Sequence, residues 1–274
     1  MTFSIVARSA DGQTWGVAVA SKFLAVGSAV PAAVAGIGAI ATQADANVAY
    51  KGRALAHMDD GATAGVALQR LLEGDEGREH RQVGIVDVDG GSATHTGHEC
   101  FDWAGGVTDT DVAIQGNILV GPHVVEAMKA SWDETREQPD LARRLLSVLR
   151  AGDAAGGDSR GRQSAALLVV REDAGYGGGD DVAVDLRVDD HATPCTELER
   201  LLDLNDLYLT ASTDQEQVDV TPELQGELDD RARTLGHPDF IAWVGTENFE
   251  MRVGSGWVDQ KVLEILRDRT EGAA

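Results

Sequence analysis

The chain has 274 residues, 46 of them acidic and 23 basic, for a formal net charge of −23 at pH 7. A surface this negative repels nucleic acid and anionic membranes, which excludes both as partners. Two cysteines, Cys100 and Cys195, are too few for a disulfide scaffold, and no apolar run free of turn breakers reaches the roughly 18 residues of a membrane span. The first strand is expected from residue 2 onward. In "TFSIVAR", Phe3, Ile5 and Ala7 fall on one side and Ser4, Val6 and Arg8 on the other. "SADGQT" then turns the chain and "WGVAVAS" resumes it, so a hairpin stands at the amino end. Residues 26–43 read as short Gly- and Ala-rich strands and turns. "YKGRALAHMDDG" and "ATAGVALQRLLEGD" carry helical spacing, with Leu55 and Met58 on one face and Val66, Leu68, Leu71 and Leu72 on another. "RQVGIVDVDGGSATHTG" is a second hairpin about its "DGG" turn, and "DVAIQGNILVG" is a further strand.

Residues 122–134 and 139–151 are expected as helices, the second amphipathic through Leu141, Leu145, Leu146 and Leu149. "AGDAAGGDSRGRQ" is a polar, Gly-rich loop of the kind that carries function, and "SAALLVVRED" and "VAVDLRVDD" are two more strands. From Pro194 the pattern changes. A helix over "TELERLLDLNDLYLTA", the acidic linker "STDQEQVDVTP" and three short helices follow. Residues 1–195 therefore read as one domain and 196–274 as a small helical module. Strands arrive as hairpins between helical pairs rather than alternating singly with helices. That order predicts an α+β fold of antiparallel sheets covered by helices, not a parallel α/β sheet.

The core this composition allows is aliphatic, since 43% of residues are hydrophobic but only 5% aromatic. Only four residues are lysine, and with 46 carboxylates this points to a halophilic protein of a salt-rich, haloarchaeal type of cytoplasm, where screening relieves repulsion. No basic segment leads into an apolar one before the first strand, so no signal peptide is expected and the localisation is read as cytoplasmic.

Most familiar chemistry is missing. His95 and His98 lie three apart on a strand-and-turn segment with no accompanying Glu motif or Cys pair, so no metal is expected. "GGDSRGRQS" lacks the Lys-Ser/Thr of a phosphate-binding loop, and no Gly-x-Ser-x-Gly elbow occurs, so no cofactor is expected either. Thr2 remains. Removal of Met1 leaves it with a hydroxyl and a free α-amine on a residue anchored in a strand. An α-amine titrates at about 7.7–8.0, near working pH, and can take the hydroxyl proton. Ser21 and Lys22 end the second strand, where Lys22 can lower the amine pKa and orient the hydroxyl. Gln43 and Asn47 sit in a polar break, and Asn117 in "QGNIL" offers an amide donor for an oxyanion. Arg162 and Gln163 close the glycine loop, where Arg162 can grip a carboxylate in bidentate fashion. Asp189, Asp190 and His191 cluster at a strand end, with Asp190 and His191 read as substrate contacts. Each of these positions has a plainer reading as a strand end, a turn or a loop residue.

"MTFSIVARSADGQTWGVAVASK", "GAIATQADAN", "HRQVGIVDVDGGSATHTG", "QGNILVGPHVVEAM", "GGDSRGRQSAALLVVR" and "DLRVDDH" together resemble the DUF1028 family, grouped with the amino-terminal-nucleophile (Ntn) hydrolases, over residues 1 to about 195. The tail is similar to the peptidoglycan-binding-like helical domain that often follows it. The resemblance implies a four-layer αββα sandwich of two antiparallel sheets followed by a small all-α module. It also implies that Thr2 is the nucleophile of an amidohydrolase acting on a small amide or peptide-like C–N bond. The partner would be a small-molecule amide, with self-association into a homo-oligomer left open. The competing expectation is a non-catalytic binding or interaction protein on the same fold.

Overall fold

The structure is a computed structural model and describes residues 2–271. Met1, on whose removal the nucleophile reading depends, lies outside the described residues. The chain divides into two compact units, Met1–Leu201 and Leu202–Ala274.

The first unit opens with β1 (Thr2–Arg8) and β2 (Thr14–Ser21), paired antiparallel with Phe3 opposite Ala20 and Arg8 opposite Trp15. The short helix α1 (Val26–Ala29) and strands β3 (Pro31–Val34) and β4 (Gly38–Ala44) follow. Helices α2 (Ala49–Asp59) and α3 (Ala64–Glu73) come next, the latter begun by Thr63, whose hydroxyl accepts from the Val66 N–H at 3.4 Å. Strands β5 (Arg81–Asp87), β6 (Ser92–Thr96), β7 (Gly105–Asp109) and β8 (Val112–Asn117) lead to helices α4 (His123–Glu134) and α5 (Leu141–Ala154). Strands β9 (Ser164–Arg171) and β10 (Val182–Val188) close the unit, and α6 (Pro194–Leu209) carries the chain into the next.

Two antiparallel sheets result, one ordered β10-β9-β2-β1-β8-β7 and the other β3-β4-β5-β6. The alternation in β1 explains how they pack. Val6, with Trp15, Val17 and Val19, meets Ala39, Ala41 and Val86 of the smaller sheet in one buried cluster, so the sheets face each other. Phe3 points the other way, toward Gly152 of α5 and Gly157. Helices α4 and α5 pack on the larger sheet, and α2 and α3 pack on the smaller one. Every residue of β1 but the last is buried, as expected of an interior strand with partners on both edges.

Local differences from the sequence reading have simple causes. Strand β7 is Gly-rich and half-exposed, an edge strand with little alternation to read. Gln43 lies inside β4, not in a break after it. A polar residue in a short strand mimics a loop unless its partner is known.

In the second unit, helices α7 (Pro222–Thr234), α8 (Phe240–Glu247) and α9 (Gln260–Glu271) match the three expected. The unit is not purely helical, however. Strands β11 (Gln217–Asp219), β12 (Val253–Gly254) and β13 (Trp257–Asp259) form a small sheet, β11 within the expected linker and the others in two- and three-residue pieces too short for a periodic signal. Its core sets aromatic rings among aliphatic side chains: Trp243 stacks on Phe240 and lies tilted against Phe249, at ring separations of 5.8 and 5.4 Å. Glu227 ties α7 to α9 by accepting from Arg231 at 2.7 Å and Arg267 at 2.8 Å, which holds its carboxyl down to about 2.

Candidate active site

Thr2 lies at the end of β1, opposite Asn117 of β8, and is only 6% exposed. Its hydroxyl oxygen is 3.1 Å from that of Ser21, the last residue of β2. Its backbone carbonyl accepts two side-chain amides, from Gln43 Nε2 at 3.3 Å and Asn117 Nδ2 at 3.4 Å. Gln43 reaches it from the facing sheet. Four of the expected residues (Thr2, Ser21, Gln43 and Asn117), far apart in sequence, thus meet at one end of the sandwich.

They are joined by residues that sequence reasoning missed. Gln82 of β5, fully buried, takes bonds on Oε1 from Gln43 Nε2 at 2.8 Å and Asn117 Nδ2 at 2.9 Å. Its own Nε2 donates to Thr96 Oγ1 at 2.9 Å and to the Gly116 carbonyl at 2.7 Å. Ser4 donates to Gln43 Oε1 at 2.7 Å and accepts from Gln115 Nε2 at 2.6 Å. Carboxamides suit this task because each offers two donors and an acceptor. Buried polar groups persist only when so partnered. The Asn117 Nδ2 is therefore already occupied by Thr2 and Gln82, and it acts here to position Thr2. Gly84 makes the network possible: a Cβ there would lie 2.1 Å from Gln115 Oε1. Like the strand glycines Gly106 and Gly116, it marks a close approach.

The backbone beside this cluster is unusual. Ala44, next to Gln43, has φ 68°, and Ile118, next to Asn117, has φ 51°. For a β-branched residue the left-handed region is a true outlier, costing of order 1–3 kcal/mol, and such strain gathers at functional sites. Hydrogen bonds hold Ile118 there: its N–H donates to the Phe101 carbonyl at 2.9 Å and its carbonyl accepts from Ser159 at 3.3 Å. Asp158, buried in the glycine loop, accepts the Lys22 backbone N–H at 2.7 Å and so fixes the chain just after Ser21. The Lys22 side chain is exposed. Phe23, Leu24, Phe101 and Val120, on segments leaving these strand ends or bonded to them, also expose large apolar side chains.

The other expected residues lie in separate clusters. Asn47, just before α2, accepts the Ala49 N–H at 3.2 Å and donates to Asp75 at 3.2 Å. Asp75 also takes Arg81 at 2.9 Å and Tyr50 at 2.7 Å, and the Arg81 guanidinium holds its carboxyl well below the usual range. Arg162 is bound to Asp153 of α5 at 2.6 Å. Gln163 donates to Asp190 at 3.1 Å and accepts the His191 N–H at 2.7 Å, a cluster of its own. Burial pushes the Cys195 thiol up to about 12 and raises Cys100 as well, so neither is a poised thiolate. Among the described residues, no group of three or more His, Cys, Asp or Glu side chains is arranged to hold a metal, and no helix is long and apolar enough to cross a membrane.

Fold and site together define an α+β protein with two facing antiparallel sheets and a buried amide cluster around a strand-end threonine. The chain belongs to the DUF1028 family, a family of unknown function whose profile matches residues 2–198. It is similar to the crystal structure of protein SPO2555 from Silicibacter pomeroyi, which carries the same family label, at 31% identity and a TM-score of 0.68 over 78% of this chain and 90% of that one. No curated protein matches the chain.

Proposed function

We propose that the chain is an N-terminal-nucleophile amidohydrolase that cleaves a small amide or peptide-like C–N bond through Thr2. The observation that carries this is the fixation of Thr2: two side-chain amides on its carbonyl and the Ser21 oxygen 3.1 Å from its hydroxyl, at the end of an interior strand. Rigid placement of a nucleophile is what acyl transfer needs most. Once the Met1–Thr2 bond is cleaved, the α-amine accepts the hydroxyl proton as Oγ1 adds to the substrate carbonyl. The same proton passes to the leaving nitrogen as the C–N bond breaks, and water then hydrolyses the ester on Thr2. Ser21 orients the hydroxyl, while Gln43, Asn117 and Gln82 hold the residue still. The exposed apolar side chains on nearby segments support a substrate with an apolar portion. No cofactor enters the scheme. A panel of small amides given to chain whose Thr2 amine is verified free tests the reading; turnover of none of them counts against it.

A second reading, a binding protein on this fold, draws on the burial of Thr2, since a purely structural threonine would be equally enclosed. Turnover separates the two.

The domain division, 1–195 and 196–274, and a salt-rich cytoplasm belong to the same proposal. Forty-six carboxylates against 23 basic residues repel one another. Salt shortens the screening length from about 10 Å at 0.1 M to about 3 Å at 1 M. Thermal melts should therefore show stability rising from low to multimolar KCl. A flat or falling melting temperature would sink the halophile reading.

A further inference from the structure

At the opposite end of β1 from Thr2, roughly 20 Å away at about 3.3 Å per residue, lies a cavity of about 250 Å³. Its lining includes Ser9 and Asp11 of the β1–β2 turn, Arg136, Glu137 and Gln138 of the α4–α5 loop, and Arg144 of α5. Arg144 is the unusual member. It is only 6% exposed, its Cζ sits 3.2 Å from the centroid of the Trp132 ring, and Nη2 donates to the Trp132 carbonyl at 2.8 Å. Its Nε is buried with no hydrogen-bond partner among the described residues. A buried cation left without a counter-charge is costly. In a chain with twice as many acidic as basic residues, this is an unexpected place to find one.

Glu137 lines the cavity but lies exposed on the loop and forms no salt bridge among the described residues, and the other nearby carboxylates are committed elsewhere. Asp111 is committed to Arg8 at 2.8 Å and Asp133 to Lys129 at 2.7 Å. Asp11 is turned to its own turn, accepting from the Ser9 hydroxyl and from the Gln13 N–H at 3.1 Å. The first N–H groups of α5 are taken by Asp140, which accepts from Ala142 at 2.8 Å and Arg143 at 3.3 Å, so the helix end is not the attraction. Burial, and after it the charge of Arg136 on the exposed loop, disfavour the charged form of Arg144, and among the described residues neither arginine forms a salt bridge. Two arginines that line one small cavity and have no carboxylate partner are an arrangement that receives a carboxylate or phosphate.

We propose that this cavity is an oxyanion site, binding a small metabolite through its carboxylate or phosphate group with Arg144 and Arg136 as the cationic contacts. The cavity is just below the size of drug-sized ligand pockets, which suits a small metabolite rather than a polymer. The site is separate from Thr2 and stands whether or not Thr2 is catalytic.

The test uses the full chain at fixed KCl, with inorganic phosphate and succinate as separate probes, followed by calorimetric titration and thermal shift. At least one probe should bind with a Kd of about 1–10 mM or tighter and raise the melting temperature. Phosphate alone would identify a phosphate ligand, and succinate alone a carboxylate one. Arg136→Gln, on an exposed loop, should weaken that binding by about tenfold or more. Arg144→Met should leave the unliganded protein as stable or more so, because an unpaired buried charge is gone, while removing the probe-dependent shift. If Arg144→Met does not fold, Arg136→Gln decides alone. No binding of either probe at about 20 mM, or binding undiminished in Arg136→Gln, overturns the proposal.

Discussion

Thr2→Ala should lower turnover of any amide substrate by more than about a thousandfold, the scale on which loss of a nucleophile is felt. The fold should be nearly unaffected. Alanine removes one hydroxyl whose partner is Ser21, a change of about 1 kcal/mol, and leaves the backbone carbonyl that Gln43 and Asn117 hold. Thr2→Ser keeps hydroxyl and amine, and should retain activity within about a hundredfold of the wild type. The loss should appear in kcat, because the nucleophile acts in the transition state rather than in binding. An alanine variant with wild-type turnover would leave Thr2 no catalytic part.

Gln82→Leu should be the most damaging substitution to the fold at this site. Gln82 joins both sheets by accepting from the buried Gln43 and Asn117 and donating to the half-buried Thr96 and to the Gly116 carbonyl. Leucine fills similar space but leaves two buried N–H donors short of a partner, each costing about 1–3 kcal/mol. The expected loss is about 2–5 kcal/mol, read as a lower denaturation midpoint. Because Gln43 and Asn117 also hold the Thr2 carbonyl, the variant should lose kcat at temperatures where it is still folded. Gln82→Glu changes the amide to a carboxylate that cannot donate to Thr96 and Gly116, and should be no milder. A loss below about 1 kcal/mol would show that the network is not the cooperative unit described.

The larger features could be read directly from residues. Alternation in "TFSIVAR" set strand β1 and which side chains face which way, and Val6 and Phe3 do point to opposite layers. The spacing of Leu141, Leu145, Leu146 and Leu149 set helix α5, and all four are buried. The site was legible only in part. Thr2 and Ser21 stood out at strand ends and Asn117 for its amide, but Gln82 and Gln115 lie inside strands, where a single polar residue has no local signature. Their meaning comes from facing one another across two sheets, which no periodicity within one strand reports. Arg162 had the right chemistry for a substrate carboxylate, yet Asp153, nine residues earlier on α5, occupies it. A local reading weighs what a side chain can bind but not which neighbour arrives first.

The central claim is that Thr2, freed of Met1, is a nucleophile, and covalent capture tests it most directly. The full chain is incubated with an activated ester or β-lactone, then measured by intact mass and peptide mapping. The expected product is a chain lacking Met1 with one acyl group per molecule, that group on the Thr2 oxygen or its amine, and no such adduct on Thr2→Ala at any residue. A chain that keeps Met1, or that is acylated equally in wild type and Thr2→Ala, would contradict it.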